Sequence, residues 1–333
     1  MITINDLELR AGARALLTGV TFRVQPGDRI GLVGRNGAGK TTLTRTLAGE
    51  TLPAAGAITR TGDVGYLPQD PRTGDLDVLA RDRVLSARGL DEIVRGMEKL
   101  QVQMAEQPDD AEVLARYGRL EERFTALDGY GAEAEAARIC SNLGLPTRAL
   151  EQRIGTLSGG QRRRIELARI LFSGATTLLL DEPTNHLDAD SIGWLREFLK
   201  KHKGGLVVIS HDVELLDAVV NKVFHLDANR AELDQYNVGW KTYLQQRETD
   251  EKRRKRERAN AEKQAGVLMA QADKMRAKAT KAKAAQGMAK RAERLLSGLE
   301  GVRAQDRVAK LRFPEPAPCG KTPLTAKELS KSY

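Results

Sequence analysis

Gly34-Arg35-Asn36-Gly37-Ala38-Gly39-Lys40-Thr41-Thr42 is the stretch that decides the fold of this 333-residue chain. It follows the apolar run Ile30-Gly31-Leu32-Val33 and precedes a helix-like stretch at 42–47. A strand that runs into a glycine-rich loop and then a helix lets backbone N–H groups curl around a phosphate, because glycine accepts the left-handed conformations such a curl needs. Lys40 is placed to reach the β- and γ-phosphates of a nucleotide, and the Thr41 hydroxyl to ligate Mg²⁺. Gly34, Asn36, Gly37, Ala38, Gly39, Lys40, Thr41 and Thr42 are the expected nucleotide-binding residues. The expected fold class is α/β, of the P-loop NTPase type.

Four further blocks lie downstream. Thr177-Leu178-Leu179-Leu180-Asp181-Glu182 reads as a buried strand ending in two acids, which places both at the carboxyl edge of the sheet beside the loop. Leu206-Val207-Val208-Ile209-Ser210 is a second apolar strand, with His211 directly after it. Leu157-Ser158-Gly159-Gly160-Gln161 precedes the acidic pair, and Tyr66-Leu67-Pro68-Gln69 lies between the glycine-rich loop and these blocks.

Taken in order, the blocks resemble the ATP-binding cassette (ABC) ATPases over residues 1–240, and the resemblance supplies roles. Ser158, Gly159, Gly160 and Gln161 match the signature loop that reaches across a dimer to the γ-phosphate of ATP. Asp181 would hold Mg²⁺ together with Thr41 and Gln69, and Glu182 would polarise the attacking water. His211 matches the switch histidine that contacts the γ-phosphate, and Gln69 the glutamine that senses metal and lytic water. ATP and Mg²⁺ are thus the implied cofactors, and ATP hydrolysis the implied reaction. One part is missing. Cassettes usually stack adenine on an aromatic residue before the P-loop, whereas Leu9-Arg10-Ala11-Gly12 has none. Base stacking contributes about 1–3 kcal/mol, so weak nucleotide affinity is expected unless Arg10 or Arg14 covers the base.

Composition narrows the setting. No run of eighteen apolar residues is present, so no helical membrane span is expected. Met1-Ile2-Thr3-Ile4-Asn5-Asp6 lacks the basic, apolar, small-residue order of a signal peptide. Cys140 and Cys319 stand at no metal-like spacing, which fits a reducing cytoplasm and argues against a zinc-dependent DNA-repair relative.

The net charge of +9 is unevenly placed: residues 241–312 carry +12, and the remainder −3. In that segment Leu268, Ala272, Met275 and Ala279 follow one 4, 3, 4 spacing, and Met288, Ala292, Leu295, Leu299 and Val302 a second seam. The polar stretch Ala284-Ala285-Gln286-Gly287 between them predicts the turn of an antiparallel helical hairpin with its tip at 280–287. Lys274, Arg276, Lys278, Lys281, Lys283, Lys290, Arg291 and Arg294 cluster there, as candidate RNA-binding residues. Like charges held together on one projecting element need a polyanionic partner. Without any Phe, Tyr or Trp from Leu244 to Arg312, base stacking is excluded and recognition of phosphates and shape is expected.

Residues 313–323 are a proline-rich connector. Residues 324–333 shifted by 322 places fall on 2–11, with Leu324 on Ile2, Leu329 on Leu7 and Tyr333 on Ala11, which reads as the start of a second cassette. The helical signature subdomain is expected at 84–160. Asn185-His186-Leu187-Asp188, where transporter cassettes have serine-alanine, resembles the ABC-F subfamily. That resemblance implies two cassettes in one chain, no membrane domain, and a basic linker entering the ribosome toward rRNA and tRNA, in ordinary translation or in antibiotic resistance. Half of each composite site would then come from the second cassette, or from a second copy of this chain. Hydrolysis by this stretch alone is expected to be weak. The competing readings are the ATPase subunit of an exporter and a nucleic-acid maintenance ATPase.

Overall fold

Apolar residues alternate along the first two strands, and this alternation builds a sheet with one buried face. β1 (Ile2–Ala11) pairs antiparallel with β2 (Arg14–Val24) and with β4 (Ala55–Arg60), so β1 is central. The larger sheet comprises β3 (Arg29–Gly34), β5 (Val64–Leu67), β6 (Thr177–Asp181), β7 (Gly205–Ile209), β8 (Lys222–Asp227) and β9 (Glu232–Tyr236). Its order is β5-β6-β7-β3-β8-β9, parallel except for β9. The computed structural model describes residues 1–69, 74–107, 110–276 and 282–297.

Every residue of β6 and β7 is buried, as continuous apolar runs covered on both faces should be. One core, including Ile4, Leu17, Phe22, Leu32, Leu43 and Leu179, fills the space around α1 (Lys40–Ala48) between the two sheets. The other face of the large sheet is covered by helices. Because β3 lies between β7 and β8, with β6 next to β7, the strand ends at Gly34, Asp181 and Ile209 come to one edge.

α2 (Ala80–Leu85), α3 (Asp91–Glu106), α4 (Ala111–Ala126), α5 (Gly129–Asn142) and α6 (Thr147–Leu150) occupy the region expected to be helical. Of the expected turn at Gln107-Pro108-Asp109-Asp110, Pro108 and Asp109 lie outside the described residues. Asp110 caps α4, its carboxylate accepting from the N–H groups of Glu112 and Val113. α7 (Gly159–Phe172) begins on a capping box in which Ser158 Oγ accepts from Gln161 N–H and Gln161 Oε1 from Ser158 N–H. α8 (Ala189–Lys201) and α9 (Val213–Val219) complete the cassette-like body.

α10 (Trp240–Arg276) is 37 residues long, about 55 Å. Its root is fixed by Tyr243, 1% exposed, whose ring meets Tyr236 edge-on at 5.0 Å. α11 (Ala282–Ser297) packs back along it, and Ala265, Ala272 and Ala292 are buried in the seam. The hairpin forms, but the expected turn is corrected: Ala284, Ala285, Gln286 and Gly287 are helical, within α11. Alanine is the best helix former and a single glycine costs only about 1 kcal/mol, so this alanine-rich stretch stays in the helix. Residues 277–281, 298–312, the connector and the 324–333 segment lie outside the described residues. Among the described residues no helix is long and apolar enough to cross a membrane.

Candidate functional site

The glycines of the loop after β3 answer to two steric demands. A Cβ on Gly34 would stand 2.7 Å from the Leu226 carbonyl oxygen, and one on Gly39, at φ 104°, would press 3.1 Å from Leu16 Cδ1. Gly39 caps α1 without a side-chain bond, and the first turn of α1 carries no acid. Its free N–H groups and partial positive charge are therefore open to an anion. Asn36 and Gly37 are exposed, Ala38 is buried beneath them, and Thr42 is half-buried on the first turn.

Lys40 Nζ donates to the Gly34 and Arg35 carbonyls at 2.9 and 3.2 Å. No carboxylate forms an ion pair with it among the described residues, and burial lowers its pKa against the opposing pull of Asp181 and Glu182. A half-buried ammonium held only by backbone dipoles fits a phosphate. Thr41 Oγ1 donates to Asp181 Oδ2 at 2.7 Å. Burial pushes the Asp181 carboxyl above the usual carboxylate range, although the Thr41 bond, Arg163 and Lys40 oppose it. A hydroxyl and an under-compensated carboxylate in contact are the hard oxygen donors that Mg²⁺ takes. The residues present thus fit both the nucleotide and the metal.

Glu182, next along, is buried and sits at φ 50°, a left-handed conformation costing about 1–3 kcal/mol in a non-glycine residue. Its N–H donates to the Ile209 carbonyl at 2.8 Å. Glu182 Oε2 accepts from His211 N–H at 3.3 Å, and His211 Nε2 lies 3.4 Å from Oε1. Burial raises the Glu182 carboxyl above its usual range, with His211 the main opposing influence. The His211 ring is 77% exposed. A cavity of about 370 Å³ is lined by Gly34, Lys40 and His211 and also by Trp240 and Arg247 at the root of α10.

Other expected residues stand apart. Gln69 is exposed, and among the described residues no hydrogen bond joins its side chain to Thr41 or Asp181. Ser158, Gly159, Gly160 and Gln161 neither line this cavity nor bond to the P-loop. Gly160 instead packs toward His186, itself at φ 70°. Arg10 is engaged by Glu8 at 2.7 Å, whereas Arg14 pairs in register with Ala11 and donates to the Ala228 carbonyl at 3.4 Å. On the hairpin, Lys274, Lys290, Arg291 and Arg294 are exposed. Arg276 and Lys283 are helical, with side chains outside the description, and Lys278 and Lys281 lie outside the described residues. Sequence reasoning missed Arg163, which joins the Gln69 loop to the acidic pair. Its only signal was the triplet Arg162-Arg163-Arg164 on a helix with a buried face. It also missed Trp240 and Arg247, which no local pattern links to the P-loop.

A family model described as ABC transporter matches residues 17–185, and a second of the same description matches 226–313. The chain is 36% identical over 262 residues to the tylosin resistance ATP-binding protein TlrC of Streptomyces fradiae, covering 77% of this chain and 47% of that protein. It is 37% identical over 241 residues to the energy-dependent translational throttle protein EttA of Escherichia coli K12, covering 71% and 42%. A similar match, 34% over 250 residues, is to the probable ATP-binding protein YheS of the same strain, covering 75% and 38%. The chain spans less than half the length of these relatives. Among solved structures, an ATP-binding subunit of an ABC transporter is similar at a TM-score of 0.53 and 19% identity, covering 71% of this chain and 90% of that one, a likeness of fold.

Proposed function

The chain belongs to the ATP-binding cassette family, in its ABC-F type, and from that premise we propose an ATP-hydrolysing clamp that positions the α10–α11 hairpin on the ribosome. The N–H groups of the loop from Gly34 to Gly39, with Lys40, hold the β- and γ-phosphates. Thr41, Asp181 and Gln69 hold Mg²⁺, which when bound neutralises charge on the transferred phosphoryl group. Glu182 accepts a proton from the attacking water, and His211 orients it through the contacts already made to its carboxylate. Ser158, Gly159, Gly160 and Gln161 serve the nucleotide of a second cassette, which explains why they stand away from this P-loop. Closure of the pair fixes the pose of the hairpin, and hydrolysis releases it.

One observation carries the coupling: Lys40 and His211 share a cavity with Trp240 and Arg247, so the phosphate end of the site and the base of the cationic hairpin border the same space. Support for the ribosome as partner comes from a relative named as a translational throttle and another named for tylosin resistance. Among the described residues no ion pair engages Lys274, Lys290 or Arg291, which leaves these cations to rRNA or tRNA phosphates.

Co-sedimentation with ribosomes in a non-hydrolysable ATP analogue tests this reading. With about four phosphates neutralised, a fourfold rise in salt is expected to weaken retention about a hundredfold. Salt-independent retention, or none at 50 mM salt, would sink it. Growth in macrolides and lincosamides then separates protection against drugs from a role in ordinary translation.

The adenine subsite yields a second expectation. Ala11 lies at the end of β1, opposite Arg14 and beyond the buried Leu9, and the one aromatic residue of the β1–β2 hairpin, Phe22, is buried in the core opposite Ile4. Ala11→Tyr is expected to tighten ATP binding about five- to hundredfold, the range that base stacking supplies. Calorimetry showing unchanged affinity would place the base elsewhere.

A further inference from the structure

Arg163 lies in the first turns of α7, is 6% exposed, and reaches between two loops that both end at the nucleotide site. Its Nη1 donates to the carbonyl oxygens of Pro68, at 3.2 Å, and Gln69. Its Nη2 donates to those of Asp181, at 2.8 Å, and Glu182, at 2.9 Å. One guanidinium therefore spans the main chain of the three residues whose side chains are assigned to metal and water. The planar fork of arginine offers donors in two directions at once, which a lysine ammonium at the end of a thin stem does not.

The place of Arg163 in the helix adds a second connection. Ser158 and Gln161 form the capping box at the start of α7, and Arg163 follows Gln161 by two residues. A displacement of the signature end of α7 would thus be felt at the backbone of Gln69, Asp181 and Glu182. Gln69 is exposed and makes no side-chain bond to Thr41 or Asp181. Its distance from the acidic pair is therefore set through its main chain: β5 pairs with β6 as far as Leu67 and Leu180, and beyond that pairing Arg163 ties the carbonyls of Pro68 and Gln69 to those of Asp181 and Glu182.

We propose that Arg163 is a positioning residue: it holds the Gln69 loop in register with Asp181 and Glu182, assembling the Mg²⁺ site and linking it to the helix that bears the signature loop. This rests on the reading above that a nucleotide and Mg²⁺ bind here. Removing an outer partner of metal-binding groups weakens metal affinity about 10- to 100-fold, whereas phosphate binding by the P-loop should be untouched.

The test measures affinity for a fluorescent ATP analogue in EDTA and in excess Mg²⁺, for the unvaried chain, Arg163→Lys and Arg163→Gln, with folding checked by thermal melting. The EDTA value reports the P-loop and Lys40, and the ratio of the two reports the metal groups. Both variants are expected to keep the EDTA affinity within about twofold and to lose the Mg²⁺-dependent gain by about tenfold or more. If Arg163→Gln fails to fold, Arg163→Lys, which retains the charge, decides alone. An unchanged ratio in a folded variant overturns the proposal, as does a parallel fall of both affinities. Failure of the unvaried chain to bind the analogue in either condition would instead overturn the nucleotide reading itself.

Discussion

Replacing Glu182 by glutamine is expected to lower ATP turnover about 10²- to 10⁴-fold, the range a positioned general base contributes, while nucleotide affinity stays within about threefold. Glutamine has the same shape and can still accept the His211 N–H through its amide oxygen, so the strained turn at φ 50° persists. What is lost is the basic oxygen. Burial raises the Glu182 carboxyl above its usual range, so it is a stronger base than an exposed glutamate. Protonation removes that base, so turnover should fall as pH drops through the raised pKa, at a higher pH than an ordinary glutamate would give. Phosphate release is to be followed with a second cassette present, because the signature loop serves the opposite site. A variant retaining more than a tenth of the turnover would mean that another group activates the water. In a two-cassette protein, Glu182→Gln with its counterpart in the second cassette should hold the closed state and keep the protein on ribosomes.

Lys40→Met is expected to weaken nucleotide binding about 30- to 1000-fold, with and without Mg²⁺. An ammonium about 4 Å from one phosphate charge is worth about 4 kcal/mol at an effective dielectric of 20, and part of that is offset by its desolvation, which already lowers its pKa. Methionine fills nearly the same volume and leaves only the Gly34 and Arg35 carbonyls without this donor, so the melting temperature should change little. Equilibrium binding of a fluorescent ATP analogue checks the effect. Affinity within threefold of the unvaried chain would show that the helix N-terminus and loop N–H groups hold the phosphates without the lysine. Loss in both EDTA and Mg²⁺ also contrasts with the metal-dependent loss expected at Arg163.

Much of this was legible in the order of residues. The glycine-rich loop, the apolar run ending in Asp181 and Glu182, the strand before His211 and the Ser158–Gln161 capping box are each contiguous. Each is a segment whose local conformation follows from a few neighbouring side chains. The basic segment was equally visible, as +12 of charge in 72 residues with two apolar seams. Its turn was misplaced because a polar tetrapeptide rich in alanine satisfies both a turn and a helix, and only the packing of Ala292 against α10 distinguishes them.

By itself, the sequence determined which chemical groups are present and which short segment presents each: a phosphate loop, two acids after a buried strand, a histidine after the next, and a cationic hairpin. Tertiary structure alone decided which of them meet. Thr41 and Asp181 touch across 140 positions, and Glu182 and His211 across 29, because β7 lies between β6 and β3. Arg163 bridges Gln69 and the acidic pair across more than ninety positions on one side and fewer than twenty on the other. The same arrangement brings Trp240 and Arg247 to the cavity of Lys40. The physical reason is that a parallel sheet orders its strands by how their buried faces pack, so distant segments share an edge that no local periodicity records.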